Sequence, residues 1–134
     1  MSKQKKLKAL EKIHKTLSDP GVWIKSKFAL APGGEDTSPS DPRACQFCLD
    51  GAAQHVLRHS KKLYTEIRVE LAKSVVVNNT NIHPRDKEGY INTMDGSSCG
   101  PFIWELNDHS ETKLDDILGV ITDTACRIKG ENDD

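Results

Sequence analysis

The sequence predicts a mainly α fold, a compact bundle of about four helices with a short irregular or β-hairpin insert between the third and the fourth. Two observations carry that reading. Apolar residues recur at the helical period in four separate segments, whereas only Val75–Val77 and Phe102–Leu106 have β character, and both runs are short. A length of 134 residues suits a single domain spanning 1–134, since domains cluster at about 100–150 residues. Residues 78–100 are expected as a loop insert and 131–134 as a disordered tail.

The first helix is expected over Lys5–Leu17, where Leu7, Leu10, Ile13, His14 and Leu17 share one face and lysines fill the other. Ser18-Asp-Pro-Gly21 ends it, because proline cannot continue a helix and glycine tolerates the turn. Val22-Trp-Ile24, Phe28 and Leu30 form an apolar segment of open type, with Trp23 expected to plug the first helix against the rest. Ala31–Ser40, rich in proline, glycine and small polar residues, reads as loop.

A second helix is expected from Asp41 as N-cap and Pro42 as first residue, with Cys45, Cys48, Leu49, Ala52 and Val56 as its apolar stripe. The third runs from Lys61 to about Val76 on Leu63, Ile67, Leu71 and Val75. Turn chemistry then dominates 78–100, so a short hairpin or a mobile lid is expected there. Phe102–Leu106 reads as a possible strand. The last helix follows Thr112, which with Asp115 imitates a capping box. It is lined by Leu114, Ile117, Leu118, Ile121, Ala125 and Ile128 and stopped at Gly130.

Composition excludes several classes of function. The net charge of −1 gives no global pull toward nucleic acid or membrane. No run approaches the roughly 18 apolar residues of a membrane span, and no apolar core follows the basic start as in a secretory signal. Four scattered cysteines do not make a secreted disulfide framework, so a cytoplasmic protein with reduced thiols is expected.

The pattern also carries a resemblance. Trp23 after an amphipathic first helix, Cys48-Leu-Asp-Gly-Ala-Ala53, Asn107-Asp108, and Thr112-x-x-Asp-Asp-Ile-Leu118 with Ala125 stand in order along the chain. Together they resemble a family of small bacterial and phage proteins designated domain of unknown function 6197. The likeness touches roughly residues 7–24, 42–57 and 102–128, and Leu106 stands where the family's pattern has an aromatic residue. The resemblance implies a compact, mostly helical domain and brings no activity, cofactor or catalytic residue.

Candidate sites are few. Cys45 and Cys48 with His55 and His59 imitate a zinc motif, but four zinc ligands must converge within about 2.0–2.3 Å of one ion. On one straight helix Cys45 and His55 stand about 15 Å apart, so the two cysteines are read as small hydrophobes, ahead of a redox pair or a metal site. His55 and His59 joined by His83 or Cys99 form a lesser alternative. No metal and no cofactor is expected.

Asn107, Asp108 and His109 precede the last helix. They are read as a turn satisfying free amides, ahead of a general base with its orienting partner or a polar-ligand site. If 78–100 is a lid, His83, Tyr90 and Trp104 are the side chains expected to line its pocket. The lysine-rich first helix is read as a solvated face ahead of contact with nucleic acid or an acidic protein. With no nucleophile–base pair and no phosphate-cradling loop, the reading leans away from an enzyme. It favours a non-enzymatic binding protein, an accessory of phage or bacterial origin, acting on another protein or on itself. The competing class is a small ligand- or nucleotide-binding domain or enzyme.

Overall fold

A computed structural model describes residues 2–78, 83–96 and 98–131. Residues 79–82 and 97 of the expected insert, and 132–134 of the expected tail, lie outside the described residues. The chain is mainly helical, and six helices stand among the described residues where about four are expected. In chain order the elements are α1 (Ser2–Ser18), β1 (Ala29–Leu30), β2 (Gln46–Phe47), α2 (Leu49–Val56), α3 (Lys61–Asn78), α4 (Pro84–Thr93), α5 (Gly100–Asp108) and α6 (Leu114–Lys129).

α1, α3 and α6 follow their apolar stripes. Leu10, Ile13 and Leu17 of α1, Ile67 and Leu71 of α3, and Ile117, Ile121 and Ile128 of α6 are all buried in one core. Burying each such side chain is worth roughly 1.5–3 kcal/mol. Leu118, expected on the same face of α6, is only half-buried. The three helices are also tied by a buried polar group. Glu70 Oε2 accepts from Lys6 Nζ of α1 and Glu70 Oε1 from Arg127 Nη1 of α6, each at 2.9 Å. Ser74 and Thr124 share a hydroxyl hydrogen bond of 2.7 Å beside it. Burial works to raise the Glu70 carboxyl pKa, but the hydrogen bonds from Arg127 and Lys6 outweigh it and hold the group below the usual range.

The second helix starts later than expected. Asp41 accepts from Arg43 N, but it closes a turn and opens no helix. Gln46–Phe47 is instead a strand, antiparallel to β1 with Ala29 opposite Phe47. Phe47 also bridges Trp23 in parallel, so the segment 22–30 wraps both sides of it. The small sheet therefore precedes α2, not α6. Cys48 caps α2, its Sγ accepting from Gly51 N at 3.2 Å. Cys45, expected in an apolar stripe, is exposed, whereas Cys48 is buried.

The expected loop 78–100 contains a helix. In α4 the His83 side chain accepts from Arg85 N, and Pro84 opens the first turn, where no amide proton is needed. Among its described side chains α4 contributes nothing to the buried core; Tyr90 sets its ring edge against Phe102, centroids 5.4 Å apart. The strand expected at Phe102–Leu106 is helix α5, opened by Gly100-Pro101, with Ile103 and Asn107 inward. For α6 the cap shifts by one residue. Asp116 Oδ2 accepts from Lys113 N at 2.8 Å, and Thr112 is buried but is not the cap.

Candidate functional site

The residues that converge best lie where α5 meets the segment 24–28 and the start of α2. Asn107 is the joint. Its Oδ1 accepts from Trp23 Nε1 at 2.7 Å and from Leu49 N, the first amide of α2, at 3.0 Å. Its Nδ2 donates to Ile24 O at 3.1 Å and to Asp108 Oδ1 at 3.0 Å. One buried amide thus holds three segments that are far apart in sequence, and all four of its hydrogen bonds are made. Asp108 Oδ1 also accepts from Ser26 N at 2.8 Å, while Lys25 Nζ donates to the carbonyl of His109. Ser26, held there, has φ of +67°, a left-handed conformation that a non-glycine residue rarely adopts.

This clamp leaves a cleft of about 220 Å³ between Ser26–Phe28, Cys48 and the outward face of α5. Its lip is aromatic. Phe28 and Trp104 stand edge to face with centroids 5.7 Å apart, and they are 44% and 37% exposed. Behind the lip, Trp104 Nε1 donates to Asp50 Oδ2 at 2.7 Å. The buried Asp50 also accepts from Tyr64 Oη at 2.7 Å and from Arg68 Nη2 at 2.9 Å. The Arg68 guanidinium sits over both the Tyr64 and Trp104 rings, 5.7 and 5.4 Å from their centroids, a cation–π arrangement on two sides. Trp104 is therefore fixed in orientation from the inside while its outer face stays open.

Chemically the cleft is quiet. Burial is the main cause that pushes the Cys48 thiol up to about 11, so at neutral pH it is protonated and no nucleophile. Burial likewise raises the Tyr64 hydroxyl above its ordinary value, and Asp50 adds to the effect. Neither group is poised for proton transfer near neutrality.

With this geometry in place, comparison with known proteins locates the chain. The profile of the family of unknown function DUF6197 matches residues 1–127. The chain belongs to the DUF6197 family. No curated protein and no solved structure matches it.

In this DUF6197 chain, three of the six residues proposed from sequence come together at the cleft: Trp104, Asn107 and Asp108. His109 points elsewhere. Its Nδ1 accepts from Glu111 N at 3.1 Å, and it lines a separate cavity of about 430 Å³ with Val75, Leu106 and Thr112. His83 caps α4 and Tyr90 packs on Phe102; neither lines either cavity. The expectation that Asn107–Thr112 serves to anchor the last helix is corrected in part, because Asn107 anchors the 22–26 segment and α2 instead.

The cysteine–histidine cluster is not assembled. Cys45 is exposed, His55 stacks on Phe47 at 4.6 Å with its Nδ1 against the Pro39 carbonyl, and His59 lies in an exposed turn. Among the described residues no three or more His, Cys, Asp or Glu stand together as a metal would need.

Sequence reasoning missed Asp50, Tyr64, Arg68 and Phe28. One signal was available for the first. Asp50 is the lone charged residue between Ala44 and Leu57, in a segment too apolar and small to leave a carboxylate unpaired.

Proposed function

We propose that this DUF6197 protein is a non-enzymatic binding protein that recognises another protein, seating one apolar side chain of that partner between Phe28 and Trp104. The observation that carries the reading is a contrast at the cleft. The side chains of Asn107, Asp50 and Cys48 hold internal hydrogen bonds, while two large aromatic rings remain exposed above them. A site built for chemistry keeps a titratable or nucleophilic group free for its substrate; a recognition site keeps apolar surface free. The size of the cleft points the same way. At about 220 Å³ it is smaller than the roughly 300–1,000 Å³ typical of small-molecule sites and suits a single anchoring side chain. Trp104, pre-oriented by Asp50, would lose little rotamer freedom on contact, which favours it as an anchor.

The reading extends to a phage or bacterial accessory role in the cytoplasm. No described helix is long and apolar enough to cross a membrane. The test is affinity capture with wild type and with Phe28→Ser, beside a thermal-shift screen of nucleotides and metabolites. A partner held by wild type and lost with Phe28→Ser is expected. A metabolite or nucleotide that raises the melting temperature by many degrees, with no partner captured, overturns the proposal.

A further inference from the structure

A second surface lies along the contact between α1 and α6. The two helices run antiparallel, the start of α1 meeting the end of α6 where Lys3 Nζ donates to Glu131 O. Outside their shared core a groove of about 530 Å³ remains. Its floor and walls are Leu7, Leu10 and His14 from α1 and Ile121, Ala125 and Cys126 from α6. Leu10 and Ile121 are fully buried at the bottom, and Leu7 and Ala125 are half-buried along the sides.

The charge lining the groove is mostly basic. Lys15 and Lys129 line the groove, Lys8 is exposed on the same face of α1 as Lys15, and Lys5 and Lys12 are exposed further round that helix. None of the five is paired with a carboxylate among the described residues, whereas Lys6, on the inner side of the same helix, is held by Glu70. Glu11 is the one acidic side chain lining the groove. An unpaired basic ridge next to an unfilled apolar trough is a complementary pair of signals for one kind of occupant.

We infer that the α1–α6 groove docks an acidic amphipathic helix of a partner protein, with apolar anchors in the trough and carboxylates against the α1 lysines. The dimensions suit it. The lining residues run from Leu7 to Ser18 of α1 and from Ile121 to Lys129 of α6, so the groove is about 12–17 Å long, two to three turns of an occupying helix. Such a helix presents anchors at i, i+3 or i+4, and i+7 along one face. A two-fold contact that placed α1 on α1 would set their lysines against one another, which disfavours that form of self-association. Nucleic acid is disfavoured too: the ridge has no arginine or aromatic side chain interleaved with its lysines, and phosphates would leave the trough unfilled.

The surface is independent of the Phe28–Trp104 cleft, so the test separates the two. Fluorescence anisotropy is measured with labelled peptides of about 16 residues, long enough to span the groove. One carries leucine on one helical face and glutamate on the other; a second replaces the leucines with glutamine; a duplex DNA oligonucleotide is the third probe. The leucine–glutamate peptide is expected to bind, and to weaken at least tenfold for the double variant Lys8→Glu, Lys15→Glu and for Ala125→Arg. Phe28→Ser should bind it as wild type does. Thermal melts of each variant confirm that it is folded, and the charge variants, altered only at exposed positions, keep the test valid if Ala125→Arg is not. Failure of the leucine–glutamate peptide to bind overturns the proposal, as does equal or tighter binding of the glutamine control or of DNA.

Discussion

Replacing Asn107 by alanine should destabilise the protein by about 3 kcal/mol. The figure follows from what the side chain leaves behind. Leu49 N, buried at the first turn of α2, would lose its acceptor, and an orphaned buried donor costs roughly 1–3 kcal/mol. Trp23 Nε1 would lose the other bond to Oδ1, but it is only part-buried, so water can recover part of that loss and about 0.5–1.5 kcal/mol remains. The bonds to Ile24 O and Asp108 are at the edge of the cleft and add little once solvated.

Against a total stability of roughly 5–15 kcal/mol this is a large fraction. Urea denaturation followed by circular dichroism reads it directly. With a slope of about 1–3 kcal/mol/M, the midpoint should fall by about 1–3 M. Trp23→Phe keeps the ring but removes the donor, so a double-mutant cycle with Asn107→Ala should show about 1 kcal/mol of coupling. A loss below about 1 kcal/mol for Asn107→Ala, or strict additivity in the cycle, would refute the claim that this amide joins three segments.

Asp50→Ala should cost about 3 kcal/mol, because it strands the Arg68 guanidinium between two rings with no counter-charge; an unchanged urea midpoint would contradict that. Gly51→Ala should cost about 1–3 kcal/mol or more, since the added Cβ would collide with the Phe28 carbonyl, and a variant as stable as wild type would show that the backbone before β1 yields freely. Ile121→Ala should lose about 2–5 kcal/mol, and the half-buried Leu118→Ala clearly less; equal losses would mean the core face of α6 is misassigned. The depressed carboxyl of Glu70 gives stability that is present above the unfolded value of about 4.3 and is lost as pH falls through the folded value. Glu70→Gln should therefore flatten the acid limb of stability against pH, and an unaltered limb would count against the Lys6–Glu70–Arg127 link.

Legibility from sequence followed the range of the interactions involved. α1, α3 and α6 are long enough for their stripes to repeat, so Leu10, Ile13 and Leu17, or Ile117, Ile121 and Ile128, declare a face by themselves. Phe102–Leu106 is too short for periodicity to separate strand from helix, and Pro101 near the helix start was the better signal. Asp41-Pro42 has the chemistry of a helix start, yet the chain needs Phe47 extended to pair with Ala29 and Trp23, and tertiary pairing wins. α4 has a clear cap in His83 but only Tyr90 and Ile91 as sizeable apolar residues in its interior, so its stripe is faint. At the site, Trp104, Asn107 and Asp108 were within reach because they are neighbours on one short stretch. The partners of Asp50 lie 14, 18 and 54 residues away, and nothing local announces them.

The placement of the two tryptophans gives the molecule a built-in optical reporter. The chain has only Trp23 and Trp104, and each indole N–H ends on a side-chain oxygen beside the same cleft, one on Asn107 and the other on Asp50. Trp104 forms part of the lip and meets whatever enters, whereas Trp23 is packed against the core and faces the joint from behind. Intrinsic emission therefore divides into a responsive and a reference component, and a Trp23→Phe variant would isolate the former without any attached dye.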